Sequence, residues 1–133
     1  MAALSQLGNY KHTGLLVLRI GIGIMFIMHG LPKLIGGPEM WEKVGGAMSN
    51  FGIYFFHKGW GLIAAISETF GGFLMIVGLL FRPAMLLMAF TMFVATLVHL
   101  PQGLMAASQP IELGLVFLGL LFIGPGKYSV DKK

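Results

Sequence analysis

The chain has 133 residues, of which 56% are hydrophobic and only 11% charged, and its mean hydropathy is +0.84. Soluble domains carry about 25% charged residues, so this composition excludes an ordinary soluble globular protein and points to a single membrane domain over residues 1–133. The net charge of +4 comes from basic residues scattered at segment ends. That pattern fits anionic lipid headgroups as a partner and does not read as a nucleic-acid surface.

The predicted elements follow in chain order. Residues 1–13 are polar, and an apolar run then extends from Gly14 to Ile35. It is too long for a signal-peptide core and lacks a small-residue cleavage site, which predicts a retained transmembrane helix over 14–35. Arg19, Gly23, Phe26, His29, Gly30 and Lys33 share one face of it at helical spacing. Residues 36–58 form a long aromatic connection broken by Gly36-Gly37-Pro38, and it reads as a short interfacial helix or re-entrant segment with Pro38 in its first turn. His57 there reads as a surface histidine.

A second helix is predicted over 59–80. Gly61, Ala64, Ala65, Glu68, Gly71 and Gly72 fall on one third of its circumference, while Leu62, Ile63, Ile66, Phe70, Phe73 and Val77 lie opposite. Small residues admit a neighbouring backbone and bulky ones suit lipid, so Glu68 is expected to face protein. Arg82-Pro83 reads as a tight turn, with Pro83 opening a third helix over 83–100. Met85, Met88, Met92, Ala95, Thr96 and His99 share its polar-leaning face. A fourth helix is expected over 108–124, with Glu112 in its first turn, and GPGKYSVDKK closes the chain as a charged tail. The fold class is therefore all-α, a polytopic membrane protein built as a four-transmembrane-helix bundle. Even numbers of spans put both termini on one side. Lys11, Arg82, Lys127, Lys132 and Lys133 lie there, against Lys33, Lys43 and Lys58 opposite, which predicts cytoplasmic termini.

Counting depth from the helix ends places Lys33, His99 and Glu112 at the rim opposite the termini, His29 a turn below, and Glu68 near the midplane. The expectation is a polar pocket lined by His29, Lys33, Glu68, His99 and Glu112, floored by an Arg19–Glu68 pair. Ionisable groups at such depth are read as functional first. The same groups also admit a purely structural reading, in which the buried charges specify helix packing. As a site, the pocket suits a quinone or quinol, with Glu68, His29 and Lys33 moving protons and Arg19, His99 and Glu112 completing the ligand contacts. Two metal readings rank below it. Haem b would need His29 and His99 to converge on one iron. Copper would use His99 with Met88 and Met92, or His29 with Met25 and Met28. No metal site is assigned. The chain contains no cysteine, which excludes a thiol relay or a cysteine-held cluster within it. A soluble or membrane redox partner and a homo-oligomer are further readings.

Three stretches carry a family resemblance: LRIGIGIMFIMHGLPKLIG, ETFGGFLMIVGLLFRPAMLLMAFTMFVATLVH and the terminal GPGKYSVD. They resemble the DoxX family of small bacterial membrane proteins. The family pattern of Arg, then His-Gly-x-x-Lys, maps onto Arg19, His29, Gly30 and Lys33. Its Glu followed by paired small residues maps onto Glu68, Gly71 and Gly72, and its late histidine and acid look like His99 and Glu112. The resemblance implies a four-helix protein of the bacterial inner membrane. It also implies an association with redox and sulfur stress, since the family name is tied to a subunit of thiosulfate:quinone oxidoreductase. A subunit of a quinone-linked oxidoreductase is thus one expectation, and a non-catalytic accessory or assembly protein is the alternative.

Overall fold

A computed structural model describes residues 2–132; Lys133, counted in the charge bias above, lies outside them. Among the described residues the chain is all-helical. A short helix α1 (Ala2–Ser5) and a 3-10 turn (Gln6–Tyr10) lead into α2 (Lys11–Ile35). Next come α3 (Pro38–Gly45), a 3-10 turn (Gly46–Phe51), α4 (His57–Val77), α5 (Phe81–His99), a 3-10 turn (Leu100–Gln102) and α6 (Ser108–Ile123). Three helical stretches are long and apolar enough to cross a membrane: Ala3–Ile35, His57–Val77 and Phe81–Gln102. The fourth expected span corresponds to α6, whose 16 residues cover about 24 Å against a hydrocarbon core of about 30 Å.

Local chemistry sets the breaks. Gly37 adopts φ 84°, and Pro38 follows as the first residue of α3, where a missing N–H costs nothing. The short helix expected to open at Pro38 is therefore present, with Glu39 in its first turn. The turn between α4 and α5 differs from expectation. It is made by Gly78 at φ 72° and Leu80 at φ 47°, with the amides of Gly78 and Leu79 both donating to the Leu74 carbonyl. Arg82-Pro83 is not the turn. Pro83 is the third residue of α5, still within the first turn that needs no intrahelical donor. Arg82 instead donates from Nε to the Leu121 carbonyl and from a terminal nitrogen to that of Phe122, near the end of α6.

Packing follows the small-residue face of α4. Gly61, Ala65, Glu68, Gly71 and Gly72 are buried, whereas Ile63, Ile66, Phe70 and Phe73 are exposed. A methyl group at Gly23 would lie 2.7 Å from the Gly72 carbonyl oxygen, and one at Gly72 would lie 2.7 Å from that of Gly23. Here α2 and α4 cross backbone against backbone, as small residues permit. Gly30 meets Glu68 and Thr69 in the same seam, and Gly71 meets Met88 of α5. Gly45 and Gly61 bring α3 onto the first turns of α4. The core below the site is built of Phe26, Met75, Phe81, Met85, Met88 and Phe117, with Met filling irregular gaps. The helices form an open arc in the order α2, α4, α5, α6. The backbones of α2 and α6 stay apart, and the gap is bridged by Phe26 edge-on to Phe117, centroids 5.1 Å apart.

The terminal segment is not a free tail. Gly124, Pro125 and Gly126 are buried, and the bent, irregular run after them crosses the end of the bundle. The Val130 and Asp131 amides donate to the carbonyls of Val77 and Gly78, and the Lys127 amide donates to His12 Nδ1. Both termini thus lie at one end of the bundle. Leu80 cannot cap α5, so Asp131 does: its carboxylate accepts the amides of Leu80 at 3.2 Å and Phe81 at 2.7 Å.

Two outcomes test this packing. Gly72→Leu forces α2 and α4 apart and lowers stability by at least the roughly 1–3 kcal/mol of overpacking; an unchanged unfolding midpoint in detergent would contradict the seam. Asp131→Ala removes the cap of α5 and costs about 1 kcal/mol, read as a lower thermal midpoint with helical content retained.

Candidate functional site

The site begins with a directional property of helices. Each side chain leans toward the N-terminus of its own helix. In α2 that direction runs away from the α3 end, so Lys33, near the C-terminus of α2, reaches back into the bundle. In the antiparallel α4 it runs toward the α3 end, so Glu68 leans to meet it. Lys33 Nζ donates to both carboxylate oxygens of Glu68, each at 3.0 Å. The Glu68 side chain is 8% exposed and that of Lys33 34%. A carboxylate at this depth, eleven residues into α4 or about 16 Å along its axis, is tolerated because a cation shares it. Depth counting set Lys33 at the rim and Glu68 near the midplane, and the structure joins the two.

The Arg19–Glu68 pair is corrected too. Arg19 is wholly buried, but at the end of the bundle that holds the termini. Its guanidinium donates to the carbonyls of Met75 (3.5 Å), Ile76 (3.1 Å) and Tyr128. Two of these acceptors are in the last turn of α4, where the helix dipole favours a cation. The crossing of Gly23 on Gly72 sets the register: four residues before Gly23 on α2 stands opposite four residues after Gly72 on α4, which is Ile76. Glu68 lies eight residues away along α4, about 12 Å. The lean of Arg19 toward the N-terminus of α2 carries it still further off.

Lys33 is held from behind. Pro32, inside α2, donates no amide, and the last carbonyls of α2 need partners. Trp41 of α3 supplies one: its Nε1–H lies 3.1 Å from the Lys33 carbonyl oxygen and 3.2 Å from that of Leu34. In the sequence Trp41 is one aromatic among several in the 36–58 connection. Its spacing from Pro38 placed it three residues into α3, and that was the available signal.

Two cavities flank the ion pair. The larger, about 850 Å³, lies between α3, its following turn, α4 and α5; Ile63, Ala64, Leu87, Phe90, Val94 and Val98 give it apolar walls. Lys43, Asn50 and Trp60 line it as well, and none of the three was singled out as a site residue from the sequence. The smaller, about 200 Å³, opens between α2, α5 and α6, with His29 and Gln109 among its lining. Lys33, Glu68, Ala95 and His99 line both. His99 Nδ1 lies 2.8 Å from the Ala95 carbonyl. A carbonyl only accepts, so Nδ1 carries the hydrogen and Nε2 is left for another partner. The structure therefore brings together four of the six expected ligand contacts: His29, Lys33, Glu68 and His99. Arg19 is excluded by its place at the other end. Glu112 is exposed, lines neither cavity and, among the described residues, makes no hydrogen bond or ion pair. Met88 and Met92 are buried in the core, whereas Met25 and Met28 face outward. Among the described residues no three His, Cys, Asp or Glu side chains converge on one point.

The pair has a testable energetic signature. Lys33→Met or Glu68→Gln alone costs about 2–3 kcal/mol, less than the ~3–5 kcal/mol of a fully enclosed pair because Lys33 keeps a third of its side chain exposed. The double variant recovers to within about 1 kcal/mol of the parent. Additive losses in a thermal or denaturant cycle would show that the two side chains do not act as a pair.

The chain is 28% identical over 138 aligned residues to an uncharacterized protein of Haemophilus influenzae (strain ATCC 51907 / DSM 11121 / KW20 / Rd), covering 98% of this chain and 97% of that protein. No solved structure matches it. Residues 14–100 match DoxX, a span that holds Arg19, His29, Lys33, Glu68 and His99, and the chain belongs to the DoxX family of membrane proteins.

Proposed function

We propose that this protein binds the headgroup of a quinone or quinol beside the Lys33–Glu68 pair and exchanges protons with it, while a partner protein supplies or takes the electrons. The observation that carries the reading is the pair itself: an ammonium and a carboxylate held 3.0 Å apart at the wall of an 850 Å³ apolar cavity. Small-molecule sites are usually of about 300–1,000 Å³, mostly apolar, with a few placed polar groups. Two Lys33 hydrogens engage Glu68, and the third is free to reach a quinone carbonyl. His99 offers Nε2 to a hydroxyl or takes its proton, and Glu68 takes a proton when Lys33 turns to the ligand. Ser67 and Thr91 also line the cavity, but their hydroxyls donate to the Ile63 and Leu87 carbonyls, so the working polar groups are few.

The setting of this reading is a bacterial inner membrane crossed four times, with both termini in the cytoplasm and the site toward the opposite face. The absence of cysteine from the chain supports a redox centre on a partner rather than here. The second reading, an accessory protein whose buried charges only specify packing, draws on the fact that Lys33 and Glu68 satisfy each other. Quinone titration of the purified protein in nanodiscs separates the two. Glu68→Gln and His99→Ala are each expected to weaken binding by at least about tenfold, the equivalent of the roughly 1.5 kcal/mol of one hydrogen bond to a charged group. His29→Ala, across the pair in the smaller cleft, is expected to have a lesser effect. If all three variants bind like the parent, or the parent does not bind, the accessory reading stands.

A further inference from the structure

The two cavities differ in chemistry, and they share a wall. The larger one runs along α5 from His99 to Leu87, twelve residues or about 18 Å. Its sides include Ile63, Leu87 and Phe90, which are also exposed on the outer apolar face of α4 and α5. It is therefore continuous with the surface that meets acyl chains. Its hydroxyls are bonded to their own helices, as noted for Ser67 and Thr91, and away from Lys43 and Asn50 at the α3 side and the ion pair its walls are mostly apolar.

The smaller cleft is the more polar of the two for its size. Five of its eleven lining residues are polar: His29, Lys33, Glu68, His99 and Gln109. It lies where the backbones of α2 and α6 stay apart, and it reaches Ala106 in the loop after α5 and Gln109 in the first turn of α6. Several hydrogen-bonding groups in a space of about 200 Å³ are what a water chain needs, since a buried water occupies about 30 Å³ and takes two to four polar partners. Only Lys33, Glu68, Ala95 and His99 belong to both spaces.

We infer that the Lys33–Glu68 pair is a partition between two phases: a chamber filled from the lipid, entered between α4 and α5, and a cleft filled with water from the face opposite the termini. This rests on the proposed quinone site and extends it. The chamber takes the apolar isoprenoid chain of the ligand, so the headgroup arrives at Lys33 from the bilayer. The cleft carries protons between the aqueous phase and Glu68 past His99 and His29. The ligand and its protons reach one ion pair by separate routes, and the pair keeps water out of the chamber.

The chain contains no cysteine, so single cysteines can be placed and spin-labelled without altering any other residue. Labels at Ala64→Cys and Val94→Cys report the chamber; labels at Ala106→Cys and Leu113→Cys report the cleft. In nanodiscs, dissolved oxygen marks lipid access and a polar nickel chelate marks water access. The chamber labels are expected to be relaxed by oxygen at least about tenfold in preference to nickel, relative to the cleft labels, as for a shift of medium worth about 1.4 kcal/mol. Adding Lys33→Met with Glu68→Gln is expected to raise nickel access at the chamber labels toward that of the cleft labels; chamber labels left unchanged would overturn the pair as the partition. Equal preference at Val94 and Ala106, or nickel reaching both, would overturn the partition. Two positions per cavity keep the test decisive if one variant fails to fold. No quinone enters the measurement, so its failure is separate from failure of quinone binding in the titration above.

Discussion

A carboxylate in the middle of an apolar bundle has few tolerable states, and the contact between Glu68 and Lys33 is the one this fold provides. Transferring an isolated charge from water costs several kcal/mol even after relaxation. The compensation must come from a cation that can reach the same depth. Lysine reaches it only if its helix runs in the direction that tilts the side chain inward. The antiparallel order of α2 and α4 meets that condition, and the Gly23–Gly72 crossing brings the axes close enough for the span to close at 3.0 Å. Bulkier residues in the seam would lengthen the distance and leave Glu68 unpaired.

Other features of the protein read as supports for that contact. Trp41 ties α3 to the carbonyls at the end of α2, fixing the turn that carries Lys33. Gly45 and Gly61 seat α3 on α4 with backbones touching, so the same short helix also roofs the larger cavity. At the far end, the terminal segment does comparable work for the rest of the bundle. It offers a carbonyl to Arg19 and a carboxylate to the start of α5. The two basic side chains that α2 turns into the bundle thus have different kinds of partner. Arg19 is held by backbone carbonyls at a helix C-terminus, and Lys33 by a carboxylate that a proton can neutralise.

How much of this was legible in the sequence depends on which physical rule decided each feature. The inward face of α4 was readable because small and bulky residues segregate at helical spacing, and burial follows that division from Gly61 to Gly72. The start of the short helix α3 was readable from Gly37-Pro38. The partner of Glu68 was misread because depth was counted from helix ends, which puts Arg19 within range. The register is set instead by where glycines cross, and Gly23 against Gly72 moves Arg19 toward Ile76. The lean of helical side chains, applied to both basic residues, would have selected Lys33. The role of the last residues was not readable: a terminal GPGKYSVDKK has no periodicity, and its order comes from long-range hydrogen bonds to Val77, Gly78 and Arg19. Glu112 was placed in the pocket on depth alone, and depth does not say which way a side chain points around its helix.

The open arc explains why the site sits where it does. With four helices in the order α2, α4, α5, α6, the outer pair would close the bundle if their backbones met, and Glu68 would be sealed in. They do not meet. Phe26 and Phe117 bridge the gap below the level of Glu68, leaving the part above it open as the smaller cleft. On the other side of α4, the α3 roof replaces what would have been another helix and leaves the larger cavity. A bundle closed on both sides would hold the same ion pair as a purely structural clamp. One open on both sides, with the pair as its dividing wall, keeps a titratable group reachable from two directions while the charges stay compensated. That arrangement is more than packing specificity alone requires, and it is the reason for reading Glu68 and Lys33 as a working site.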